Sequence, residues 1–491
     1  MSASTRDVAP PALDAAGTGG IPGGGYLDGR WLTDDLALEV VDPEDGSVVG
    51  RVRLAGPADV DAAVGGVSRS LREDAWELWE RRETLERAAA LVREEHERLA
   101  AILSAESSKT ITEALREVAR TAETLRLSAA AAPLLEGETL PFADTARGAG
   151  RIGWNRREPL GVVAAITPFN DPMNLVAHKV GPALIAGNAV VLKPAQKTPL
   201  SALALLDLLL RAGMPPRRMA ALVSDREAGT ALVRDRRVDA VSFTGGPATG
   251  DLIAATAGAR KTLMELGGNN AVIVCEDGDV SAAAAGIVDG AFGVAGQNCL
   301  SVQRVLAHAA VYDELVALVS EGARGLVVGT KRSPSTDVGP LISRREADRV
   351  QSWIREAEAQ GARIVAGGGL HGAFHEPTVL VDVPAGARVL EEEVFGPVVS
   401  ILPFTELDDA IARADATDYG LQAGVFTASV TVAMHAAARL RVGTVLVNET
   451  SDFRIDAMPF GGSRRSGVGR EGVASAVLEL SAPKNVILNR L

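Results

Sequence analysis

Beyond Arg151, short apolar runs alternate with longer segments of helical spacing, and this alternation restricts the possible folds more than any other feature of the chain. The predicted strands lie at 161–166, 189–192, 219–223 and 238–243, and the predicted helices at 174–186 and 199–212. Strands and helices that alternate in this way form a doubly wound parallel sheet, which binds ligands at the carboxyl ends of its strands. The sequence therefore predicts an α/β fold.

The regions on either side of this segment also contain predicted helices and strands. Apolar residues recur at helical spacing between charges over 75–130, which predicts long helices that cover a core. A second α/β half runs from about residue 270 to 456, with predicted strands at 271–274, 362–365 and 443–448. Residues 140–155 are predicted to form a protruding strand pair, and residues 484–489 an edge strand that needs a partner.

Composition excludes several classes of protein. With 491 residues and 47% hydrophobic content, the chain can bury cores in two or three domains. A net charge of -13 without a basic run argues against nucleic acid or an anionic membrane as partner. No apolar stretch is long enough to span a bilayer. Residues 1–25 lack the pattern of a signal peptide and are predicted to form a flexible leader.

The cysteines and histidines narrow the chemistry. Two cysteines, Cys275 and Cys299, are too few for a disulfide framework and fit a reducing compartment, so we predict a cytoplasmic protein. Cys275 follows the apolar run 271–274 and is predicted to belong to the strand core. The six histidines are dispersed without metal-ligand spacing and a third ligand, so no metal site is predicted.

Cys299 is the candidate nucleophile. It follows Gly296, Gln297 and Asn298 in a polar, glycine-rich segment. A lone cysteine is ordinarily a small buried hydrophobe, but these polar surroundings favour a reactive thiol that attacks a carbonyl carbon. Glu265, in a segment ending with two glycines, supplies a carboxylate that could activate water to release the acyl group. Their separation in sequence leaves open whether the two side chains meet.

Asn170 is a third candidate, because it follows the predicted strand 161–166. Its side-chain amide could donate to a developing oxyanion together with the backbone N–H of Cys299. A turn-forming asparagine beside Pro172 is the alternative.

Two glycine-rich segments lead to different predictions. Gly367, Gly369 and Gly372 have the spacing of a dinucleotide-binding fingerprint, but the residues that follow cannot open a long helix, so a structural turn is predicted. The segment 242–250 follows a predicted strand, and Pro247 fits the first turn of a helix whose amides could hold a phosphate. A structural turn is the alternative there as well.

With these residues in view, the chain resembles the NAD(P)-dependent aldehyde dehydrogenases of the hydrolytic superfamily from about Tyr26 to the C-terminus. The matching stretches, in the family's order, are Thr167-Pro-Phe-Asn170, Leu192-Lys-Pro-Ala195, Phe243-Thr-Gly-Gly246, Glu265-Leu-Gly-Gly268, Gly296-Gln-Asn-Cys299, Glu392-Glu-Val-Phe-Gly-Pro397 and Pro459-Phe-Gly-Gly462. Residues 168–179 and 451–456 also resemble members that act on phosphonoacetaldehyde, lactaldehyde and succinic semialdehyde.

The resemblance implies a covalent mechanism. Cys299 would be the nucleophile, Glu265 the general base, and Asn170 with the Cys299 amide the oxyanion hole. A thiohemiacetal would release a hydride to the nicotinamide, and water activated by Glu265 would hydrolyse the resulting thioester to the acid.

The resemblance also implies a site for NAD or NADP. Lys193 matches the residue that contacts the adenosine ribose, Glu393 the one that holds the nicotinamide ribose, and Phe395 packs near the nicotinamide. Further cofactor contacts are implied for Ile166, Thr167, Pro168, Phe169, Ala195, Gln196, Phe243, Thr244, Gly245, Gly246 and Leu266. NAD-preferring members often have a glutamate where this chain has Gln196. A neutral amide does not repel a 2′-phosphate, so the preference between NAD and NADP stays open.

The resemblance places six residues along the aldehyde tunnel, namely Arg120, Asp171, Asn298, Leu300, Arg454 and Phe460. Two arginines that face one tunnel favour an aldehyde with an anionic tail, because guanidinium groups bind carboxylate or phosphonate bidentately. The alternative is that Arg120 is solvated and that Arg454 pairs with Asp452 or Asp456. Asp171 could offset one arginine, which argues against a doubly charged phosphonate.

The family's architecture implies three parts. These are a Rossmann-type cofactor domain over 26–138 and 160–267, an α/β catalytic domain over 268–472, and a small β oligomerisation element over 139–159 and 473–491. Homodimers or homotetramers are expected.

Several functions compete at this point. The first is NAD(P)-dependent oxidation of a small anionic aldehyde, such as a semialdehyde with a phosphonate or carboxylate, and a neutral lactaldehyde-like substrate is its variant. A CoA-acylating dehydrogenase would pass the thioester to coenzyme A, but Glu265 argues against it because a base for hydrolysis would consume the thioester. A non-catalytic protein on the same scaffold is expected to lack the nucleophile or the base, and both are present.

Overall fold

The elements of the structure follow the alternation of the sequence. The structure is a computed structural model that describes residues 20–489, so most of the predicted leader and residues 490–491 lie outside the described residues. The helices are α1 (Pro57–Glu73), α2 (Leu78–Glu94), α3 (His96–Glu106), α4 (Ile111–Ala130), α5 (Asn174–Ile185), α6 (Leu200–Arg211), α7 (Arg226–Arg234), α8 (Pro247–Ala257), α9 (Val280–Phe292), α10 (Tyr312–Gly325), α11 (Arg344–Ala359), α12 (Arg388–Glu391), α13 (Leu407–Ala414), α14 (Val430–Arg439) and α15 (Val473–Glu479).

The strands are β1 (Tyr26–Leu27), β2 (Arg30–Trp31), β3 (Leu38–Val41), β4 (Val48–Val52), β5 (Arg151–Pro159), β6 (Val162–Ile166), β7 (Ala189–Lys193), β8 (Met219–Ala221), β9 (Ala240–Thr244), β10 (Lys261–Glu265), β11 (Asn270–Val274), β12 (Val302–His308), β13 (Arg363–Ala366), β14 (Leu370–His371), β15 (Phe374–His375), β16 (Thr378–Val381), β17 (Val398–Phe404), β18 (Gln422–Phe426), β19 (Thr444–Val447), β20 (Gly467–Val468) and β21 (Ser481–Asn489). The predicted strands of both halves are confirmed, with ends that differ by one or two residues.

The first sheet has the order β2-β1-β8-β7-β6-β9-β10-β20, and it is parallel from β8 to β10. Alternate residues of β6 enter different cores: Val163 and Ala165 pack with α5 and α6, whereas Val162 and Ala164 pack with α1. Because both faces of the first sheet are buried, the sequences of its strands are continuous apolar runs.

The second sheet has the order β13-β16-β17-β12-β11-β18-β19 and is parallel except for the pair of β13 and β16. A short turn from Glu265 to Asn270 joins β10 of the first sheet to β11 of the second. The carboxyl edge of the first sheet therefore adjoins the amino edge of the second.

The predicted strand pair at 140–155 is wrong for most of its length. Short 3-10 turns occupy Phe142–Asp144 and Ala146–Gly148, and a single bridge joins Thr139 to Trp154. β5 pairs instead with β21 along its whole length, because the C-terminal strand supplies the missing partner. Val473 and Val477 of α15 belong to the first core, so the beginning of the predicted 473–491 element packs on the first sheet.

Between residues 20 and 489, no helix has both the length and the apolar character needed to cross a bilayer.

Candidate active site

The first sheet has its topological switch point between β6 and β9. These strands are neighbours, with Ile166 opposite Phe243, but the chain continues from them to opposite sides of the sheet, to β7 and β10. A ligand crevice forms at such a point, outside the carboxyl ends of the strands. The predicted cofactor residues 166–169 and 243–246 all lie at these two strand ends.

Polar groups at this crevice are left free for a ligand. The side-chain hydroxyls of Thr167 and Thr244 are buried and form no hydrogen bond to any described residue. Gly246 precedes α8 and Pro247 begins it, so the amides of the first helical turn lie at the crevice. Hydroxyls and helix amides without partners fit the phosphates and ribose of a dinucleotide.

A cavity of 340 Å³ between α7 and α8 lies next to this crevice. Its wall includes Ile166, Lys193, Gln196, Ser224, Arg226, Thr249 and Ile253. Gly229 leaves space for the lysine, because a Cβ at this position would lie 2.9 Å from Lys193 Cε. Burial lowers the pKa of Lys193, and Asp225 opposes that shift. Ala195 lies in the turn after β7, beside this wall. The size and lining of this cavity fit the adenosine half of NAD(P).

Glu393 and Phe395 form the opposite side of the crevice. The Gly268 N–H donates to Glu393 Oε1 at 2.9 Å. Burial raises the pKa of Glu393 to about 7, while this hydrogen bond and Arg349 oppose the shift. Phe395 has a φ of 48°, and its ring meets that of Phe169 edge-on with centroids 5.8 Å apart. The residues expected near the nicotinamide are thus brought together.

A loop of unusual backbone conformation carries Cys299. Val294 and Ala295 each have a φ of 52° and Gly296 has a φ of 67°, so three consecutive residues occupy the left-handed region. The Val294 N–H donates to Glu113 Oε1 at 2.7 Å. This hydrogen bond and the packing of Gly296 against Gly396 hold the loop in place.

The turn after Glu265 contacts the backbone of Cys299. Asn270 Nδ2 donates to the Cys299 carbonyl oxygen at 2.8 Å. Gly268 packs against the same oxygen so closely that a Cβ there would overlap it. The segments of the predicted nucleophile and the predicted base therefore meet.

Cys299 opens into a second cavity, of 260 Å³. Its wall includes Asn170 and the predicted substrate residues Arg120, Asp171, Asn298, Leu300 and Arg454. Within residues 20–489, neither the Asn170 side chain nor the Cys299 N–H forms a hydrogen bond. Both groups are therefore free to donate to an oxygen of a substrate.

The other predicted substrate residue, Phe460, lies behind this wall. It is 2% exposed and packs with Leu300 and the Cys299 side chain. The Arg454 guanidinium carbon lies 3.8 Å from the centroid of its ring. Phe460 supports the cavity rather than lining it.

The surroundings of the thiol disfavour its ionisation. Burial raises the pKa of Cys299, the Glu393 carboxylate raises it further, and Arg454 opposes the shift. The thiol is therefore protonated near neutral pH, and attack on a carbonyl carbon needs a base.

Glu265 has the properties of such a base. It is 2% exposed, its Oε1 accepts from the Glu471 N–H at 3.4 Å, and its Oε2 has no hydrogen-bond partner among the described residues. Burial raises the pKa of Glu265 well above its ordinary value, Glu471 adds to this, and Arg454 opposes it. A carboxylate with a free oxygen and a raised pKa accepts protons readily.

Arg120 is paired rather than only solvated. Its Nη2 lies 2.8 Å from Asp456 Oδ1, and its Nη1 lies 3.3 Å from Asp171 Oδ2. Lys109 also pairs with Asp171 and, at 2.8 Å, with Glu117. The Asp171 carboxylate therefore offsets the charge of Arg120, one of the two arginines considered from the sequence, and also the charge of Lys109.

Arg454 has a partner that differs from both residues considered from the sequence. Its Nη2 lies 3.2 Å from Glu471 Oε2, not beside Asp452 or Asp456, and its Nε has no hydrogen-bond partner among the described residues. Lys179 Nζ lies 3.1 Å from the other oxygen of Glu471. Burial raises the pKa of Glu471, but Lys179 and its other cationic neighbours lower it to about 2.

The remaining predictions concern other parts of the chain. Gly367 and Gly369 lie in the loop between β13 and β14, and Gly372 lies in the turn of the β14–β15 hairpin, so the glycine motif forms turns, as predicted. Cys275 is 7% exposed and lies in the second core, and burial raises its pKa to about 11. In the described part of the chain, no three His, Cys, Asp or Glu side chains are arranged to hold a metal ion.

Several charged residues around the site were not predicted from the sequence. His178 and Lys179 lie in α5, whose other residues are mostly apolar and all buried. A histidine and a lysine within such an apolar helix indicate a functional role, so these two residues could have been found from the sequence. Lys109 gave no such signal, because it follows two serines in a segment typical of a surface turn.

Comparisons with known proteins identify the family of the chain. The model of the aldehyde dehydrogenase family matches residues 31–486. The chain is 42% identical to 3-sulfolactaldehyde dehydrogenase of Priestia aryabhattai, over 94% of this chain and 97% of that protein. It is 44% identical to aspartate-semialdehyde dehydrogenase 1 of Pseudomonas canavaninivorans, over 92% of this chain and 97% of that protein.

A solved structure is similar over nearly the whole chain. It is that of NADP-dependent glyceraldehyde-3-phosphate dehydrogenase from Bacillus halodurans C-125 complexed with NADP, with a TM-score of 0.93, 34% identity, and coverage of 96% of this chain and 99% of that chain. These findings confirm the resemblance and the fold class predicted from the sequence. The chain therefore belongs to the aldehyde dehydrogenase family and is an NAD(P)-dependent aldehyde dehydrogenase.

Proposed function

We propose that the chain oxidises short aldehydes with an acidic tail to the corresponding acids, through a covalent intermediate on Cys299. The observation that carries this proposal is one cavity that combines the thiol, the free amide of Asn170 and the cationic side chains Arg116 and Arg454. Arg116 is exposed at the cavity and has no ion-pair partner within residues 20–489.

In the proposed first step, the thiol loses its proton to a base, for which Glu265 is the candidate, and the sulfur attacks the aldehyde carbon. As the C–S bond forms, the π electrons of the carbonyl group move onto its oxygen, and the product is a thiohemiacetal. Asn170 Nδ2 and the Cys299 N–H donate to this oxygen, because neither has another acceptor among residues 20–489. Glu265 returns its proton to solvent before the second half of the reaction.

NAD(P), when bound, would supply the acceptor for the hydride that leaves the former aldehyde carbon. Cys299 then carries a thioester. Glu265 takes a proton from water, the resulting hydroxide attacks the acyl carbon, and the C–S bond breaks with sulfur as the leaving group. Lys193 and Glu393 hold the two riboses of the dinucleotide. Gln196 and Arg226 do not repel a 2′-phosphate, which supports the use of NADP as well as NAD.

The names of the relatives support an acidic tail. They denote aldehydes with a sulfonate, a carboxylate and a phosphate. Guanidinium groups bind each of these acids in a bidentate manner. Arg454 is 8% exposed and its Nε lacks a partner within the described residues, so it retains a donor for such a group.

The first test replaces the nucleophile. Cys299→Ala should lower steady-state formation of NAD(P)H by roughly 10³-fold or more, because no covalent intermediate can form. Cofactor binding, followed by fluorescence titration, should be retained. Cys275→Ala is the matched control and should keep its turnover, since that thiol lies in the second core. Turnover by Cys299→Ala would overturn the assignment.

Glu265→Gln in the same experiment separates the two half-reactions. It should slow the single burst of NAD(P)H per active site, because the thiol loses its base, and should slow the release of acid further, so that mass spectrometry finds the acyl group on Cys299. A wild-type enzyme that releases acyl-CoA faster than free acid would favour the CoA-acylating alternative. A panel of aldehydes with sulfonate, carboxylate, phosphonate and neutral tails, run with both cofactors, would contradict the acidic tail if the neutral members reacted best.

A further inference from the structure

Within residues 20–489, three carboxylates of the reaction cavity form no ion pair: Glu113, which accepts hydrogen bonds from the backbone N–H groups of Thr110 and Val294, and the neighbouring Asp289 and Asp452. Asp452 lies on the loop after β19, and Asp289 lies near the end of α9. Neither forms an ion pair within residues 20–489. The two elements pack closely, since a Cβ on Gly290 would lie 3.0 Å from Asp452 Cβ. The two acids are therefore neighbours on one side of the cavity.

The cations of the cavity that are deepest in the protein already have partners. Lys109 pairs with Asp171 and Glu117, and Arg120 pairs with Asp171 and Asp456. These pairs cancel most of the positive charge that a simple anion would meet. Among residues 20–489, the charged side chains of the cavity that form no ion pair are Asp289, Asp452, Arg116 and Glu113, and the Glu113 carboxylate is already held by the backbone N–H groups of Thr110 and Val294.

Asp452 contacts the residue that precedes the nucleophile. Asn298, which directly precedes Cys299, donates from Nδ2 to Asp452 Oδ1, and Asp452 Oδ2 has no hydrogen-bond partner in the described part of the chain. Burial raises the pKa of Asp452 to about 7, Asp289 adds to this, and Arg120 opposes it. A cationic group of a ligand beside both acids would relieve their repulsion.

An independent feature of the same cavity indicates where an acidic group would lie. The Arg454 side chain is 8% exposed and its Nε has no hydrogen-bond partner among the described residues. Arg116 adds a free guanidinium. The wall thus offers both acceptors and donors to a ligand.

We propose that the preferred substrate is a short zwitterionic aldehyde, whose ammonium group binds at Asp289 and Asp452 and whose acidic group lies toward Arg116 and Arg454. This inference rests on the proposed oxidation of acidic aldehydes and specifies their class. The ammonium group donates to Asp452 Oδ2, and a hydroxyl group at that place would gain less because it carries no charge.

The test compares three aldehydes of equal length: succinic semialdehyde, its hydroxy-substituted derivative and its amino-substituted derivative. The wild-type kcat/KM should be roughly 10-fold to 100-fold higher for the amino derivative than for the unsubstituted compound. Asp452→Asn and Asp289→Asn should each lower this ratio, and the double variant should bring it close to one. Asp34→Asn is the matched control, because Asp34 is exposed and remote from the cavity, and it should leave the ratio unchanged.

The wild-type panel decides the question even if Asp452→Asn fails to fold. A ratio of one or less, or a preference for the hydroxy derivative over the amino derivative, would overturn the inference while the proposed oxidation stands. Failure to oxidise any aldehyde of the panel would overturn both. A high wild-type ratio that survives in both single variants would also exclude these acids as the ammonium site.

Discussion

At the scale of single residues, the Cys299 thiol lies among groups that oppose its ionisation. Glu393 and Glu265 both raise its pKa, in addition to burial, and Arg454 offsets only part of this. Reactive thiols in other proteins often lie beside a cation that stabilises the thiolate. Here the thiolate has to be formed during the reaction, so we expect reactivity to depend on pH and on the base.

Alkylation of the free enzyme measures this directly. A thiol with a raised pKa gains thiolate about tenfold per pH unit up to that pKa. The rate of Cys299 modification by iodoacetamide should therefore still rise at the ordinary thiol value of 9.0. Peptide mass spectrometry would give the rate at each pH. Cys275, which lies in the second core, serves as the internal control and should react slowly throughout. A plateau below about pH 8 would contradict the expectation.

Individual residues differ in how far the sequence could predict them. Cys299 follows a glycine-rich segment and Asn170 follows the end of a strand. Both signals are visible in the neighbouring sequence alone. The partner of Arg454 is not local, because Glu471 reaches it only after the chain has passed through β20. Ion-pair partners in a buried cavity depend on tertiary packing, so sequence analysis offered the wrong candidates.

At the scale of elements, the loop between α9 and β12 determines where the thiol lies. Its three left-handed residues end at Gly296, which has a φ of 67° and packs against the carbonyl of Gly396. A side chain at this position would be strained and would also displace the neighbouring backbone. The loop thus links the position of Cys299 to the segment that carries Glu393 and Phe395.

Gly296→Ala tests this link. We expect kcat to fall roughly 10-fold to 100-fold, because small displacements of a nucleophile are costly, while the thermal midpoint falls by only a few degrees. Steady-state kinetics and calorimetry would measure the two effects. Gly325→Ala is the control, since a Cβ at that position meets no other atom within 4 Å. Equal kcat values in both variants would contradict the role of the loop.

The elements of the two sheets were predictable because burial on both faces produces continuous apolar runs. β5 was assigned the wrong partner for a different reason. Its residues alternate toward solvent, and its true partner, β21, lies at the other end of the chain. Local pattern cannot identify a pairing of this kind.

At the scale of the whole molecule, the ribbon of β5 and β21 carries an apolar face that the rest of the described chain, residues 20–489, does not cover fully. Opposite residues of an antiparallel pair share a face, and the pairing places Trp154 opposite Val486 and Ile152 opposite Leu488. Ile152 is 71% exposed and Trp154 is 38% exposed. Exposed apolar faces of this kind indicate contact with another chain.

We predict that a second copy of the chain covers this face. Ile152→Lys should then shift the protein toward monomers in sedimentation velocity, because a buried lysine without a partner is unfavourable. Val430→Lys is the control, since Val430 is 78% exposed on α14 and should not affect assembly. A wild-type protein that sediments as a monomer at micromolar concentration would refute the prediction.

Glu471 joins the two halves of the molecule. Its carboxylate binds Lys179 of α5 on one side and Arg454 on the other, and both Glu471 and Lys179 are fully buried. Moving the halves apart would break one of these two ion pairs, and breaking a buried pair costs about 3–5 kcal/mol. We therefore expect the cleft to keep its width throughout turnover. The product acid then leaves by diffusing past Arg116, so the width of that exit, and not a hinge, would limit how bulky a product the enzyme can release.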